Sequence, residues 1–134
     1  MNPKQFLLIG GAILLILGVV GLLPIFTEQN TPWFQLDSGE NVAHIGLGVV
    51  ALAAWYLLKD PNAQKWLVAV VGILGLATGL LGFVLPAGDE MHRNFFGLAN
   101  LESPADNVLH LVVGVWALYA AFMGKAMMAP AKAM

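Results

Sequence analysis

Six polar side chains interrupt an otherwise apolar chain, and they come as two matched triplets. Glu40, Asn41 and His44 open the stretch ENVAHIGLGVVAL at 40–52, and Asp106, Asn107 and His110 open DNVLHLVVGVWAL at 106–118, sixty-six positions later. An acid four residues and an amide three residues before an imidazole fall on one side of an α-helix, so each triplet gathers on one face. Three kinds of chemistry are open to such a face. Each histidine can bond its own Asn or acid, or a carbonyl of the neighbouring loop, and fasten that loop over the helix end, because a polar group at membrane depth must find partners. The two imidazoles can instead act as ligands: axial nitrogens for a haem, or one each for chlorophyll-type pigments, with the glycine one turn on (Gly48, Gly114) making room for a macrocycle. A bare metal held by Glu40, His44, Asp106 and His110 belongs to the same class. The third possibility is proton or ion handling, the default reading of intramembrane ionisable residues.

Several features weigh on the choice. Arg93 is the only arginine, so haem propionates would find few partners, and carboxylates beside the imidazoles favour the protonated form, which cannot bind metal. The acids stand at i−4 rather than in the Glu-x-x-His spacing of carboxylate-bridged bundle sites. Polar groups stop at one end of the spans, with Thr78 the lone polar residue deep in the first and third, so no relay crosses the membrane. The chain has no cysteine, hence no disulfide and no thiolate site. It also lacks a nucleophile–base pair, a phosphate-binding glycine loop and a basic nucleic-acid patch. The expectation is a non-enzymatic protein that does not bind nucleic acid, with the fastening role ahead of ligation; His92, beside Arg93, reads as a solvated loop residue.

The elements that position these groups follow from composition. Of 134 residues 59% are hydrophobic and 10% charged, far from the balance of a soluble domain. Four windows, roughly 5–23, 40–58, 64–85 and 106–123, are long and apolar enough to cross a bilayer as helices. They are apolar on every face, unlike the alternating segments of a spanning barrel. The first window follows Lys4 but is too long for a signal-peptide core and ends in Gly21-Leu22-Leu23-Pro24 without a small-x-small cleavage site, so it reads as an uncleaved helix. Lys4, Lys59, Lys65, Lys125 and Lys132 lie at the N-terminus, in the 59–64 turn or in the tail at 124–134, whereas the loops 24–39 and 86–105 carry Glu28, Asp37, Asp89, Glu90 and Glu102 and only Arg93 as a base. The positive-inside rule then predicts cytoplasmic termini and an inner-membrane, multi-pass protein.

Two hairpins, 4–58 and 64–123, repeat. GAILLILGVVGLLP at 11–24 aligns with GILGLATGLLGFVLP at 72–86, matching Gly11, Gly18 and Gly21 to Gly72, Gly79 and Gly82; Trp33-Phe34-Gln35-Leu36 then corresponds to Phe95-Phe96-Gly97-Leu98, and the polar triplet follows. Two spans per unit make both copies point the same way, which predicts an all-α four-helix bundle of two parallel hairpins. Gly11, Gly18, Gly72, Gly75, Gly79 and Gly82, with Gly48 and Gly114 one turn past the histidines, predict close helix packing. Trp55, Tyr56 and Trp66 near the lysine turn, and Trp33, Phe34, Phe95 and Phe96 at the other end, suit interfacial belts. Asp37 with Glu40, and Ser103 with Pro104 and Asp106, read as N-caps of the second and fourth helices. A count of about seven residues from cap to histidine, at roughly 1.5 Å each, sets each imidazole on the order of 10 Å along its helix, near the headgroup boundary, and the small residues on its stripe turn it toward the bundle interior.

The doubled motif resembles that of small bacterial membrane proteins grouped as domain-of-unknown-function family 4383, which have four spans and carry Asn-x-x-His-Leu-x-x-Gly in the second and again, after Asp, in the fourth. The matching positions are Asn41, His44 and Gly48, then Asp106, Asn107, His110, Leu111 and Gly114, with the Gly18-to-Pro24 end of the first helix; Ile45 stands where the family has leucine. The resemblance implies the architecture and an inner-membrane location and brings no activity, substrate or cofactor. Function then has to come from the site. The composition and the glycine and aromatic faces point to a small scaffold or accessory subunit that packs in the lipid bilayer against another membrane protein or a second copy of itself, with a bis-histidine haem, pigment or metal protein as the competing class.

Overall fold

The computed structural model describes residues 1–26, 30–31, 34–85, 92–96 and 99–124, the backbone alone for 92–95 and 99–102. Four helices carry the fold: α1 (Pro3–Val20), α2 (Ser38–Leu57), α3 (Pro61–Val84) and α4 (Ala105–Phe122). All four are long and apolar enough to cross a membrane, and they mark a multi-pass membrane protein. Between α3 and α4 the sequence reading expected only a loop. The chain there makes two short antiparallel strands, β1 (His92–Phe95) and β2 (Ala99–Glu102), with His92 opposite Glu102 and Phe95 opposite Ala99. Phe96 turns this hairpin in the left-handed region at φ 53°, unusual for a side chain of its bulk.

Local chemistry sets the helix starts. Asn2 accepts from the Gln5 amide while Gln5 reaches back to the Asn2 amide, a reciprocal cap with Pro3 as the first helical residue. Asp37 and Glu40 do the same for α2 at 2.8 and 3.1 Å, as anticipated from their spacing. Asp60 caps α3 through the Asn62 and Ala63 amides. The expected serine cap of α4 is corrected: the residue at the cap is Pro104, with no side-chain cap bond, and helix begins at Ala105. Ser103 Oγ accepts instead from Asn107 Nδ2 at 3.3 Å, so a side chain one turn inside the helix has claimed the oxygen that a cap would use.

The helices pack as two close pairs, α1 on α2 and α3 on α4. Hydrophobic burial offers no drive between helices in lipid, so contact depends on how near the backbones come. Glycines bring them together. A Cβ on Gly48 would stand 2.7 Å from Leu15 N and 2.9 Å from Gly11 O; one on Gly114 would stand 2.7 Å from Leu76 N and 2.9 Å from Gly72 O. Gly18 is shut against Asn41 O and Ile45, and Gly79 against Asn107 O and Leu111. As one helix of each pair advances, its partner's contact numbers fall, so each pair is antiparallel.

The pairs join at the end where Lys4, Lys59 and Lys65 lie. There Phe6 and Leu7 of α1, Val68 and Ala69 of α3, and Ala117, Ala120 and Ala121 of α4 form the buried core, with Ala51, Ala54 and Trp55 of α2 packed against it. The starts of α1 and α3 therefore meet the ends of α2 and α4. Trp116 seals this core edge-on against Phe6, ring centres 4.7 Å apart. The turn between α2 and α3 is held by buried Gln64, whose Nε2 donates to Leu58 O at 2.6 Å. Trp55 is half-buried against the core, while Tyr56 and Trp66 are exposed at this end as a belt requires. At the other end Phe34 stacks edge-on with Phe26, and Phe96 is exposed. Trp33 and the side chain of Phe95 lie outside the described residues.

Candidate functional site

The loop end of the bundle holds the polar triplets, and their burial separates them from ordinary helix-end residues. Glu40 is 6% exposed, Asn41 4%, Asp106 3% and Asn107 0%. Groups so buried must be matched, since an unmet donor or acceptor in a low-dielectric setting costs about 1–3 kcal/mol.

The asparagines are the clearest case. Asn41 Nδ2 donates to Leu36 O at 3.2 Å, and Asn107 Nδ2 to Ser103 Oγ, so each amide ties the first turn of its helix to the chain that enters it. Each Oδ1 is buried and has no conventional hydrogen-bond donor among the described residues. Asn41 Oδ1 sits where a Cβ on Gly21 would be, and Asn107 Oδ1 where a Cβ on Gly82 would be. An amide oxygen pressed on a glycine Cα in this way makes the Cα–H···O contact common at close helix interfaces. The motif asparagine thus works in two directions, along its own chain through Nδ2 and across to the preceding helix through Oδ1.

The acids and histidines are less alike than their spacing. Glu40 Oε2 accepts from the Asp37 amide as half of the α2 cap. His110 Nδ1 lies 2.7 Å from the backbone carbonyl of Asp106. A carbonyl only accepts, so Nδ1 is the donor in this bond. His44, its counterpart, has a buried Nδ1 with no hydrogen-bond partner among the described residues. The two triplets are brought together across the bundle: Glu40 interacts electrostatically with Asp106, and His44 with both His110 and Asp106. The partner of His110 is a carbonyl one turn back rather than the acid or amide of its triplet. Both histidines are half-buried, and the small residues below them are enclosed, Gly48 by α1 and Gly114 by α3, so the stripe faces helices.

Among the described residues no group of three or more His, Asp or Glu is arranged to hold a metal ion, and what the structure shows of Glu40, His44, Asp106 and His110 is their electrostatic proximity. The predicted packing glycines Gly11, Gly18, Gly48, Gly72, Gly79 and Gly114 all lie in helix seams. The roles of Leu36 O and Ser103 Oγ were not anticipated; an asparagine in the first turn of its helix, five residues after Leu36 in α2 and four after Ser103 in α4, is the signal that points to them. The side chain of His92, and all but Gly124 of the tail at 124–134, lie outside the described residues.

Comparison with known proteins finds no matching curated protein and no matching solved structure. The family model described as Domain of unknown function (DUF4383) matches residues 4–123. That span runs from the first turn of α1 past the last residue of α4 and takes in both triplets with every glycine seam, and on it the chain belongs to the DUF4383 family.

Proposed function

We propose that this protein is a small, non-enzymatic integral membrane protein that serves as a scaffold or accessory subunit of a membrane complex, built from two tandem parallel hairpins, in the bacterial inner membrane with both termini in the cytoplasm. The observation that carries the reading is that the polar groups best suited to chemistry are engaged in holding the fold: Asn41 and Asn107 fasten the chain ahead of their helices, Glu40 completes a cap, and His110 bonds a carbonyl. Matching seams at Gly18 and Gly79, and at Gly48 and Gly114, support the duplication. Lys4, Lys59 and Lys65 at the core end support the orientation. Outward faces such as Ile13 and Ile16 on α1, Val50 on α2, Ile73 on α3 and Val115 on α4 offer apolar surface to lipid or to a neighbouring subunit.

The second reading, a bis-histidine haem or pigment protein, draws on His44, whose buried Nδ1 has no partner beside His110. One preparation separates the two. Protein purified from its native membrane in mild detergent is weighed by native mass spectrometry and its absorption spectrum recorded. The scaffold reading predicts a colourless protein that co-migrates with itself or another membrane subunit. A strictly monomeric, partner-free protein would count against it, and a Soret or chlorophyll band lost in His44→Ala and His110→Ala would replace it with the second reading.

A further inference from the structure

We infer that Lys65, Trp66 and Phe122 form a binding site for the headgroup of an anionic phospholipid at the lysine end of the bundle. Lys65 stands in the first turns of α3 and is half-buried. Its ammonium lies 5.0 Å from the Phe122 ring centre and 5.7 Å from that of Trp66, and the two rings meet edge-on at 6.2 Å. Attraction to two ring quadrupoles holds a cation in place, yet rings accept no conventional hydrogen bond, so the donors of the ammonium remain for an outside acceptor.

Comparison with Lys59 makes the point sharper. That ammonium also lies over a ring, 5.3 Å from Tyr56, but it donates to the Tyr56 carbonyl at the end of α2. Lys65 has neither a carboxylate nor a hydrogen-bond acceptor among the described residues. The nearest acid in sequence, Asp60, is occupied by the Asn62 and Ala63 amides at 3.1 Å each. The result is a positioned positive charge that no described residue compensates.

What it would meet is set by its depth. Trp66 begins the apolar run of α3 and Phe122 ends that of α4, so the cation lies where headgroups give way to acyl chains. Trp66 is 56% and Phe122 53% exposed, which leaves an apolar flank for a lipid chain below a phosphate. A phosphodiester with net negative charge fits this pairing; a zwitterionic headgroup brings its own ammonium to the same place.

The test is native mass spectrometry of the full chain released from nanodiscs containing equal amounts of phosphatidylglycerol and phosphatidylcholine. Phosphatidylglycerol should be retained about fivefold over phosphatidylcholine, the factor expected of one basic side chain at a charged surface. Lys65→Gln should abolish the preference, Lys65→Arg should keep it, and Lys59→Gln should leave it unchanged. Equal retention of the two lipids by the unaltered protein, or a preference that survives in Lys65→Gln, would overturn the assignment. So would displacement of the lipid by inorganic phosphate at equal concentration, which would mark a phosphate site with no lipid character.

Discussion

Asn107 is the most completely enclosed polar side chain described in this protein, and its two ends do different work. Its Nδ2 reaches Ser103 Oγ and its Oδ1 rests on Gly82. Asn107→Ala removes both contacts and should lower thermal stability in detergent by about 1–2 kcal/mol, the upper range for a hydrogen bond between helices in a membrane. The histidines should part company. His110→Ala loses the bond to the Asp106 carbonyl and should cost a similar amount, whereas His44→Leu removes a buried nitrogen that has no hydrogen-bond partner among the described residues and should be close to neutral. Equal losses in the two variants, measured by thermal denaturation, would contradict the asymmetry. The sequence made the six polar residues and their shared faces legible, because i, i+3 and i, i+4 spacing is local. It could not show that Asn107 would capture Ser103 and displace the expected cap, since a cap and a side-chain acceptor compete for one oxygen and only the folded geometry decides.

At the scale of the helix, glycine carries the packing, but not every glycine does. A Cβ on Gly46 would meet nothing within 4 Å, while one on Gly48, two residues on, would fall 2.7 Å from a backbone nitrogen of α1. Backbone cannot swing aside as a side-chain tip can. Gly48→Ala and Gly114→Ala should each cost about 1–3 kcal/mol by overpacking, and Gly46→Ala should stay within about 0.5 kcal/mol of the parent, all read from melting in the same detergent. A neutral Gly114→Ala would mean that α3 and α4 are not held by backbone approach. Hydropathy located all four helices to within a few residues, because an apolar run of that length has one stable form in lipid. It could not tell a helix face that meets lipid from one that meets Phe6, Leu7 or Val68, since both are equally apolar; the core at the lysine end and the edge-on Trp116 were therefore hidden. The β1–β2 hairpin was hidden too, because four-residue strands in a polar loop leave too short a pattern to read.

For the molecule as a whole, the close correspondence lies in contacts rather than in residues alone. Gly21 stands to Asn41 as Gly82 stands to Asn107, and Gly18 to Ile45 as Gly79 to Leu111. The same key, an asparagine oxygen set into the space a glycine leaves, fastens the first helix pair and the second. The two pairs meet mainly through the apolar core around Phe6, Leu7, Val68 and the alanines of α4 at one end, and the acids and histidines of both gather at the other. A bundle keyed twice over in this way uses its polar motif to hold shape. The most direct test is a pair of double-mutant cycles on thermal stability, Gly21→Ala with Asn41→Ala and Gly82→Ala with Asn107→Ala. The added Cβ and the asparagine oxygen claim the same space, so each double variant should be more stable than the sum of its single losses predicts, by about 0.5–3 kcal/mol and by a similar amount in both cycles. Additive losses in either cycle would contradict the shared key.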